Sequence, residues 1–372
     1  MSKYQEVIDW IQHQVSSGKL KPGDRIPSEN DLCEQFNISR QTARHAIGNL
    51  VNDGILTAFR GSGTYVSDER VRSGERSQIA VVTTYVDSYI FPRTIQGIEG
   101  KLRELGYSMQ LYFTNNSSVR EREILSGIIE KDEIAGIILE PTRSALPNPN
   151  MDLFYKIEDM HVPILFINSY YAEMSGVWNY KGYTMPAIPH VSMDDKKSAY
   201  KAVKSLIDCG HRDIGCVLKM DDRQGLDRYS GYQEAMSEAG VFSDDAHIIW
   251  IDTEDLKNTH LIRDKIKERL KDCSAVFCYN DQVTAVVLQT MTEAGLKIPD
   301  DMSVISMDDS DLASLMRPPV DSIPHPKERL GERAAENLVR LLHHRGFNAT
   351  YEFDEEITKR GTVKQKSRKA GI

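Results

Sequence analysis

Polar and aromatic side chains recur at the ends of predicted β-strands in the larger, C-terminal part of the chain. Carboxylates and amides can bond neighbouring hydroxyl groups in pairs, an arginine can donate further hydrogen bonds, and aromatic rings can cover an apolar face. This mixture predicts a site for a small polyhydroxylated molecule such as a sugar. The candidate residues are Tyr85, Tyr89, Phe91, Arg93, Glu140, Asn168, Arg228, Asn280, Asp281 and Asp308.

Several of these residues also have a structural interpretation. Asn280 or Asp281 would equally cap the helix predicted to follow them, and one of the two could cap while the other binds. The three aromatic residues would also pack beneath an interface between lobes. Asp308 would also suit a hinge. The sequence leaves both interpretations open at these positions.

Neither catalysis nor a metal site is indicated by the spacing of reactive residues. Nicotinamide enzymes carry Gly-x-Gly-x-x-Gly after the first strand, whereas this chain has Thr83-Thr-Tyr-Val-Asp87 there. The five cysteines lack Cys-x-x-Cys spacing, and the adjacent pair His343-His344 cannot face one ion from a helix. A sugar-metabolising enzyme is therefore the less favoured interpretation, and we expect no catalytic residues, no metal and no cofactor.

Short β-branched runs alternate with amphipathic stretches of helical length from Gln78 onward. Repeated strand-helix units predict an α/β fold with parallel sheets, and a segment of this length predicts two doubly wound lobes. Ligands of such folds bind beyond the carboxyl ends of the strands, where the candidate residues lie. The stretch 175–189 is long and aromatic for a connection, and it is interpreted as a lid over the cleft or a surface loop.

A winged helix-turn-helix is predicted for the N-terminal segment. Ser39 is placed to cap a helix with one apolar face, and the other face carries Arg40, Gln41 and Arg44. Arginine near a helix N-terminus can bind phosphate, and arginine and glutamine can also pair with base edges in the major groove. Two predicted strands around Gly61-Ser-Gly63 would form the wing.

Four stretches of this segment resemble the DNA-binding domain of the GntR family of bacterial transcription regulators. They are Pro27-Ser-Glu-x-x-Leu32, Ile38-Ser-Arg-x-Thr42-x-Arg44, Leu50-Val-x-x-Gly54 and Arg60-Gly-Ser-Gly-Thr-Tyr-Val66. The resemblance implies contacts with operator DNA, although Glu29 would equally serve only to cap its helix. The implied contact residues are Glu29, Ser39, Arg40, Gln41, Thr42, Arg44, Arg60, Gly61, Gly63 and Thr64.

The remainder of the chain resembles the sugar-responsive core of LacI/GalR regulators and periplasmic sugar-binding proteins. The stretches that carry the resemblance include Gly210-His-Arg-Asp-Ile-Gly215, Arg228-Tyr-Ser-Gly-Tyr-Gln-Glu-Ala235, Val276-Phe-Cys-Tyr-Asn280-Asp-Gln, Asp308-Asp309 and Arg317-Pro-Pro-Val320. A GntR-type reader joined to a LacI-type sensor resembles repressors that respond to L-arabinose. This implies L-arabinose as the effector that releases the operator, while another pentose, a phosphosugar or a purine remains an alternative.

These patterns predict the domain organisation and the assembly. A homodimer on a palindromic operator is expected because one winged head offers few base contacts and twofold symmetry doubles them. The expected bounds are 1–68 for the winged domain, 69–77 for a linker and 78–372 for the effector-binding and dimerisation domain. Within that domain the first lobe is expected at 78–189 and 310–346, and the second at 190–309 and 347–366.

Composition limits the class of protein further. The formal net charge is -9, but only Asp53 opposes the three arginines between Phe36 and Val66, which leaves a small basic island in an acidic chain. No apolar run approaches the length of a membrane span, and the N-terminus lacks the apolar core of a signal peptide. We therefore expect a cytoplasmic protein with no membrane contact.

Overall fold

The structure is a computed structural model that describes residues 3–21, 23–59, 63–67, 77–86, 89–174, 179–180, 183–184, 187–343 and 347–366. The expected lid or loop at 175–189 lies largely outside these residues. So does the expected linker at 69–77, of which Ser77 alone is described. The bounds of that linker therefore stay a prediction. Within the described residues, no helix combines the length and the apolar character that crossing a membrane requires.

The N-terminal domain is a winged helix-turn-helix, as the sequence predicts. Ser28 opens its second helix with a reciprocal capping box to Asp31, and Ser39 caps the third helix by accepting from the backbone of Thr42. Fully buried residues such as Leu32 and Leu50 close the small core. Its elements are α1 (Lys3–Ser16), α2 (Glu29–Phe36), α3 (Arg40–Asn52) and the antiparallel strands β1 (Leu56–Phe59) and β2 (Gly63–Val66).

The first lobe is built on a six-stranded parallel sheet in the order β15-β9-β6-β5-β3-β4. The strands are β3 (Gln78–Thr83), β4 (Ser108–Phe113), β5 (Ile134–Leu139), β6 (Ile164–Ile167), β9 (His190–Met193) and β15 (Tyr351–Phe353). The helices are α4 (Phe91–Glu104), α5 (Ser118–Lys131), α6 (Met151–Asp159) and α13 (Lys327–His343), and a separate antiparallel pair is formed by β7 (Asn179–Tyr180) and β8 (Tyr183–Thr184).

Helices α4 and α13 approach each other closely because each carries a glycine at the contact. A Cβ atom on Gly97 would lie 2.2 Å from the carbonyl oxygen of Glu328, and one on Gly331 would lie 2.2 Å from that of Thr94. Any side chain at either glycine would push the helices apart. This packing fixes the start of α13 beside the start of α4, at the edge of the lobe that faces its neighbour.

The second lobe is built on a five-stranded parallel sheet in the order β11-β10-β12-β13-β14. The strands are β10 (Ile214–Lys219), β11 (Ile248–Ile251), β12 (Ala275–Cys278), β13 (Ser303–Asp308) and β14 (Asp321–Pro324). The helices are α7 (Asp195–Asp208), α8 (Arg223–Glu238), α9 (Thr253–Lys257), α10 (His260–Leu270), α11 (Asp281–Glu293) and α12 (Asp311–Leu315). The two doubly wound lobes confirm the predicted α/β class.

The chain passes between the lobes three times, as the expected bounds imply, but each crossing lies later than expected. Strand β9 belongs to the first sheet rather than the second, β14 belongs to the second sheet, and β15, which follows α13 of the first lobe, belongs to the first sheet. The expected bounds for these segments are therefore wrong. The reason is that β9, β14 and β15 each extend the sheet of one lobe before the chain crosses to the other.

Candidate functional site

A cavity of about 280 Å³ lies between the lobes, beyond the carboxyl ends of the strands of both sheets. The first lobe contributes segments that follow β3, β5 and β6, and the second contributes segments that follow β10, β12 and β13. Eight of the candidate residues line this cavity: Tyr85, Tyr89, Phe91, Glu140, Asn168, Arg228, Asn280 and Asp308. The rule that ligands bind where parallel strands end brought these residues together correctly.

On the side of the first lobe, a buried carboxylate is held by a hydrogen-bonded chain. Glu140 accepts from the backbone N–H of Thr84 at 2.8 Å and from the Nδ2 atom of Asn168 at 2.7 Å. The Oδ1 atom of Asn168 in turn lies 2.9 Å from Nε2 of His325. Burial raises the pKa of Glu140, although these hydrogen bonds oppose the shift. The carboxylate is thus fixed in place at the cavity wall.

His325 ends this chain at the crossing between β14 and α13. Its Nδ1 atom accepts from the backbone N–H of Lys327 at 3.0 Å, so Nε2 carries the proton that is donated to Asn168. Burial lowers the pKa of His325 to about 4, which keeps the ring neutral near pH 7. A neutral donor of fixed tautomer therefore orients the amide that contacts Glu140.

On the side of the second lobe, Arg228 lies between two carboxylates. Its Nε atom is 2.7 Å from Oδ1 of Asp195, an Nη atom is 3.4 Å from Oδ1 of Asp308, and the other Nη atom donates to the carbonyl of Tyr279. Burial raises the pKa of Asp195 to about 7 against the attraction of Arg228. Burial opposes the charge of Arg228, but Asp195 and Asp308 raise its pKa above the usual value. The three groups form a rigid buried network at the cavity wall.

Sequence reasoning missed a second ionic cluster at the end of β10. The buried Nζ atom of Lys219 lies 2.5 Å from Asp222 and 3.1 Å from Asp221, and the hydroxyl of Tyr279 donates to Asp222 at 3.2 Å. Burial disfavours the ammonium, but the two aspartates raise the pKa of Lys219. These residues follow a predicted strand directly, so the rule that identified the other candidates would have found them. Asp195, which follows β9, was missed in the same way.

Aromatic and apolar side chains cover the part of the wall contributed by the loop after β3. The rings of Tyr85 and Phe91 meet edge to face with centroids 5.6 Å apart. The hydroxyl of Tyr89 crosses to the second lobe, where it donates to Asp308 at 2.7 Å and accepts from the backbone N–H of Asp281 at 3.2 Å. One aromatic residue therefore links the lobes directly.

Two candidate residues do not line the cavity. Asp281 is fully buried, and its carboxylate accepts hydrogen bonds from Ser306 at 2.6 Å, from Ser322 at 3.1 Å and from the backbone and hydroxyl of Ser310. The structure therefore places Asp281 away from the cavity wall, where the sequence predicts it, because every hydrogen bond of its carboxylate goes to the second lobe. Arg93 also lies away from the cavity wall, exposed in the first turn of α4.

Asn280 caps its helix and also lines the cavity. Its Oδ1 atom caps α11 by accepting from the backbone N–H of Val283 at 3.0 Å, and the residue also lines the cavity. The cap uses the amide oxygen, so the amide nitrogen is the group that remains for a ligand. We therefore expect Asn280 to act on a ligand as a donor.

The cationic groups that line the cavity all have acidic partners within the part of the chain that the structure describes. Lys219 and Arg228 are each held between two aspartates, and Lys257 lies 2.9 Å from Glu254. Glu140 adds a further carboxylate to the wall. An anionic ligand would have to compete with these aspartates for every cation, whereas neutral hydroxyl groups can bond to the pairs as they stand.

The predicted reading face of α3 is exposed. Arg40 and Gln41 face solvent, and Arg44 forms two 3.0 Å hydrogen bonds with the carboxylate of Glu29. These bonds lower the pKa of Glu29 and raise that of Arg44. Glu29 therefore orients Arg44 rather than serving only as a cap, and it is Asp31 that completes the capping box of α2.

The remaining candidates for DNA contact lie at the start of α3 and in the wing. The hydroxyls of Ser39 and Thr42 are 2.9 Å apart at the N-cap. Gly63 has a φ of 129°, which favours glycine, and a Cβ atom there would displace the flexible side chain of Arg25, whose Nε atom would lie 2.7 Å away. Thr64 follows it in β2. Arg60 and Gly61 lie outside the described residues.

Comparison with known proteins accounts for both parts of the chain. Residues 3–66 match the model of bacterial regulatory proteins of the gntR family, and residues 203–363 match that of a periplasmic binding protein-like domain. The chain is 35% identical over 345 residues to an arabinose metabolism transcriptional repressor of Geobacillus stearothermophilus, covering 92% of this chain and 90% of that protein. The chain belongs to this family of transcriptional repressors. It is a DNA-binding regulator and not an enzyme.

A second member and a solved structure agree with this assignment. An arabinose metabolism transcriptional repressor of Halalkalibacterium halodurans is 33% identical over 351 residues, covering 92% of this chain and 89% of that protein. The crystal structure of the transcription regulator CcpA of Lactococcus lactis matches 78% of this chain and 100% of that chain with a TM-score of 0.66 at 21% identity. The match to CcpA shows that the two-lobed part of this chain has the same fold.

Proposed function

We propose that this repressor binds a palindromic operator as a homodimer in the cytoplasm and that L-arabinose, bound in the cavity between the lobes, releases it. The observation that carries the proposal is the wall of this cavity, which offers hydrogen-bonding groups from both lobes while its cations are already paired. Such a wall suits a neutral ligand with several hydroxyl groups. The names of the two repressors that resemble the chain point to arabinose among such ligands.

The charges in the cavity weigh against two alternative effectors. A phosphosugar would need cations free to bind its phosphate, and the described cavity has none without an acidic partner. A purine offers two flat faces, whereas the rings of Tyr85 and Phe91 meet edge to face and do not form a parallel pair that could hold it between them. Another neutral pentose could form hydrogen bonds with the same residues of the cavity wall. Only a binding measurement distinguishes it from L-arabinose.

Contacts between the lobes give a route from the sugar to the operator. Asn116 donates to Thr253 at 2.7 Å, and the backbone N–H of Arg223 donates to Ser144 at 2.9 Å, both across the cleft. A ligand that bonds to both walls favours the arrangement in which these contacts form. In a homodimer, a change in the angle between lobes changes the spacing of the two winged heads, and operator affinity falls when that spacing no longer matches the half-sites.

Calorimetric titration of the full chain tests the effector. We expect saturable binding of one L-arabinose per chain, with weaker binding of D-arabinose, its mirror image, which presents the same groups in the wrong arrangement. Arabinose 5-phosphate and hypoxanthine are the matched tests of the two alternatives. Binding of either of these in preference to L-arabinose would replace the proposed effector.

A further inference from the structure

Asp308 contacts the cavity only because the backbone turns sharply where β13 ends. Asp308 and Asp309 have φ angles of 87° and 42°, in the left-handed region that residues with a Cβ atom rarely adopt. The turn directs the carboxylate of Asp308 toward Arg228 and Tyr89 at the cavity wall. Two consecutive residues in this region require support from their surroundings.

The support comes from a lysine in the other lobe. The Nζ atom of Lys327, the first residue of α13, donates to the carbonyl of Asp308 at 2.9 Å and to that of Asp309 at 2.7 Å. The backbone N–H of His325 donates to the same Asp308 carbonyl at 3.0 Å. The only donor that the structure gives to the Asp309 carbonyl among its described residues is Lys327.

A lysine is poorly suited to this position on general grounds. The ammonium is partly buried, it lies at the positive end of a 17-residue helix, and the nearby Arg93 repels it. Burial lowers the pKa of Lys327, although Asp308, Asp309 and Asp281 favour its charge. Against these costs, the ammonium is attracted by three aspartates and donates to two carbonyl oxygens, and the two carbonyl contacts are the ones that hold the turn directly.

We propose that Lys327 is a positioning residue for effector binding, which holds the left-handed Asp308-Asp309 turn and thereby aims the Asp308 carboxylate at the ligand. Lys327 does not line the cavity itself, so it acts through Asp308. The inference rests on the proposed function of the cavity as the sugar site. A residue of the first lobe, Lys327, would thus control the position of a ligand-binding carboxylate of the second lobe, that of Asp308.

Sugar affinity of the full-length Lys327→Met variant tests the proposal, with Lys131→Met as a matched control. Methionine keeps the length of the side chain and removes the donor, whereas Lys131 is an exposed residue at the end of α5. We expect Lys327→Met to weaken L-arabinose binding by about tenfold or more. Lys327→Arg, which keeps a cationic donor, should recover most of the affinity, and Lys131→Met should change nothing.

A second substitution separates positioning from general stability. Glycine adopts left-handed angles without strain, so Asp309→Gly lets the turn form with less help from Lys327. In the Asp309→Gly background, Lys327→Met should therefore weaken sugar binding clearly less than it does in the unmodified chain. Asp309→Gly alone serves as the reference, because it also removes a 2.7 Å ion pair with Arg360.

The outcomes distinguish this proposal from the proposed function. If the unmodified chain does not bind L-arabinose, the effector is wrong, and the same variants are then compared with whichever of D-arabinose, arabinose 5-phosphate and hypoxanthine the unmodified chain binds. If the unmodified chain binds the sugar and Lys327→Met binds equally well, Lys327 does not position the site. Equal losses with and without Asp309→Gly would likewise overturn the role of the left-handed turn.

Discussion

Replacing Asp281 by asparagine is expected to destabilise the second lobe while leaving sugar recognition in place. The carboxylate of Asp281 accepts four hydrogen bonds, two from Ser310 on one oxygen and one each from Ser306 and Ser322 on the other. Asparagine keeps a single acceptor oxygen, so one of these two sets faces an amide NH₂ group. With the amide oxygen turned to Ser310, the NH₂ group faces Ser306 and Ser322, whose hydroxyls already accept from Thr284 and from the backbone N–H of Asp309. Both hydroxyls then lose the carboxylate oxygen to which they donate, so their own O–H groups are left without that acceptor.

The size of the effect follows from the bonds that are lost. A buried hydrogen-bonding group left without its partner costs about 1–3 kcal/mol, and we expect about 2 kcal/mol for this substitution. For a lobe of this size that corresponds to a fall in Tm of about 4–8 °C. Because Asp281 does not line the cavity, the Kd for L-arabinose of the folded protein should change by less than about threefold.

Thermal unfolding and calorimetric titration of the same preparation measure both quantities. Asp308→Asn is the matched control, since it changes a carboxylate that does line the cavity. It should weaken sugar binding by about tenfold or more, because hydrogen bonds to a charged partner contribute about 1.5–3 kcal/mol. If Asp281→Asn keeps its Tm and loses the sugar, Asp281 faces the ligand and its placement described above is wrong.

Three further predictions concern the reader and the pH dependence of the sensor. Arg40→Ala and Arg44→Ala should each weaken operator binding by about 1–3 kcal/mol and flatten its salt dependence. Lys19→Ala, which changes an exposed residue, should do little. If both arginine variants bind the operator as tightly as the unmodified chain in a binding titration, α3 does not read DNA. Residues 1–70 alone should protect the operator more weakly than the full chain in footprinting, because the dimerising sensor is missing, and equal protection would refute the dimer. Burial raises the pKa of Asp195 to about 7, so the stability it contributes is present below about pH 4 and is lost as the pH rises through about 7. Asp195→Asn should flatten that part of the profile of unfolding free energy against pH, and an unchanged profile would contradict a raised pKa.

The winged domain could be predicted almost completely because its signals are local. Ser28 and Ser39 cap helices that begin directly after them, and the apolar face of α3 follows from helical periodicity alone. The two-lobed fold could be predicted in class for a similar reason, since its central strands are short buried apolar runs separated by amphipathic stretches of helical length. Local patterns of this kind depend on no distant partner.

The lobe boundaries could not be predicted because edge strands carry weaker signals. Strands β14 and β15 are short, and they carry charged residues such as Asp321 and Glu352 that a buried central strand would exclude. The sheet that each strand joins depends on the strand with which it pairs: β14 pairs with β13, and β15 pairs with β9, which lies far away in sequence. No periodicity of two or of 3.6 residues identifies such a pairing.

The site was predicted in part for a related reason. The position of a residue after a strand shows that it lies near the cleft, but it does not show which way the side chain points. Asp281 and Asn280 are neighbours in sequence, yet Asn280 lines the cavity and Asp281 is bonded into its own lobe. Three serines brought together by β13, β14 and α12 decide that outcome, and only the tertiary structure places them.

Operator binding by the full chain in the presence and absence of L-arabinose shows whether the sugar releases the repressor from DNA. DNA that the protein selects from a random pool supplies the operator, and fluorescence anisotropy gives its affinity at fixed salt. We predict tight binding without sugar and a fall of about tenfold or more at saturating L-arabinose. At an L-arabinose concentration close to the Kd of the unmodified chain, the fall should be clearly smaller with D-arabinose and in the Asp308→Asn variant. Operator affinity that is unchanged or increased by L-arabinose, while calorimetry shows that the sugar is bound, would contradict the account.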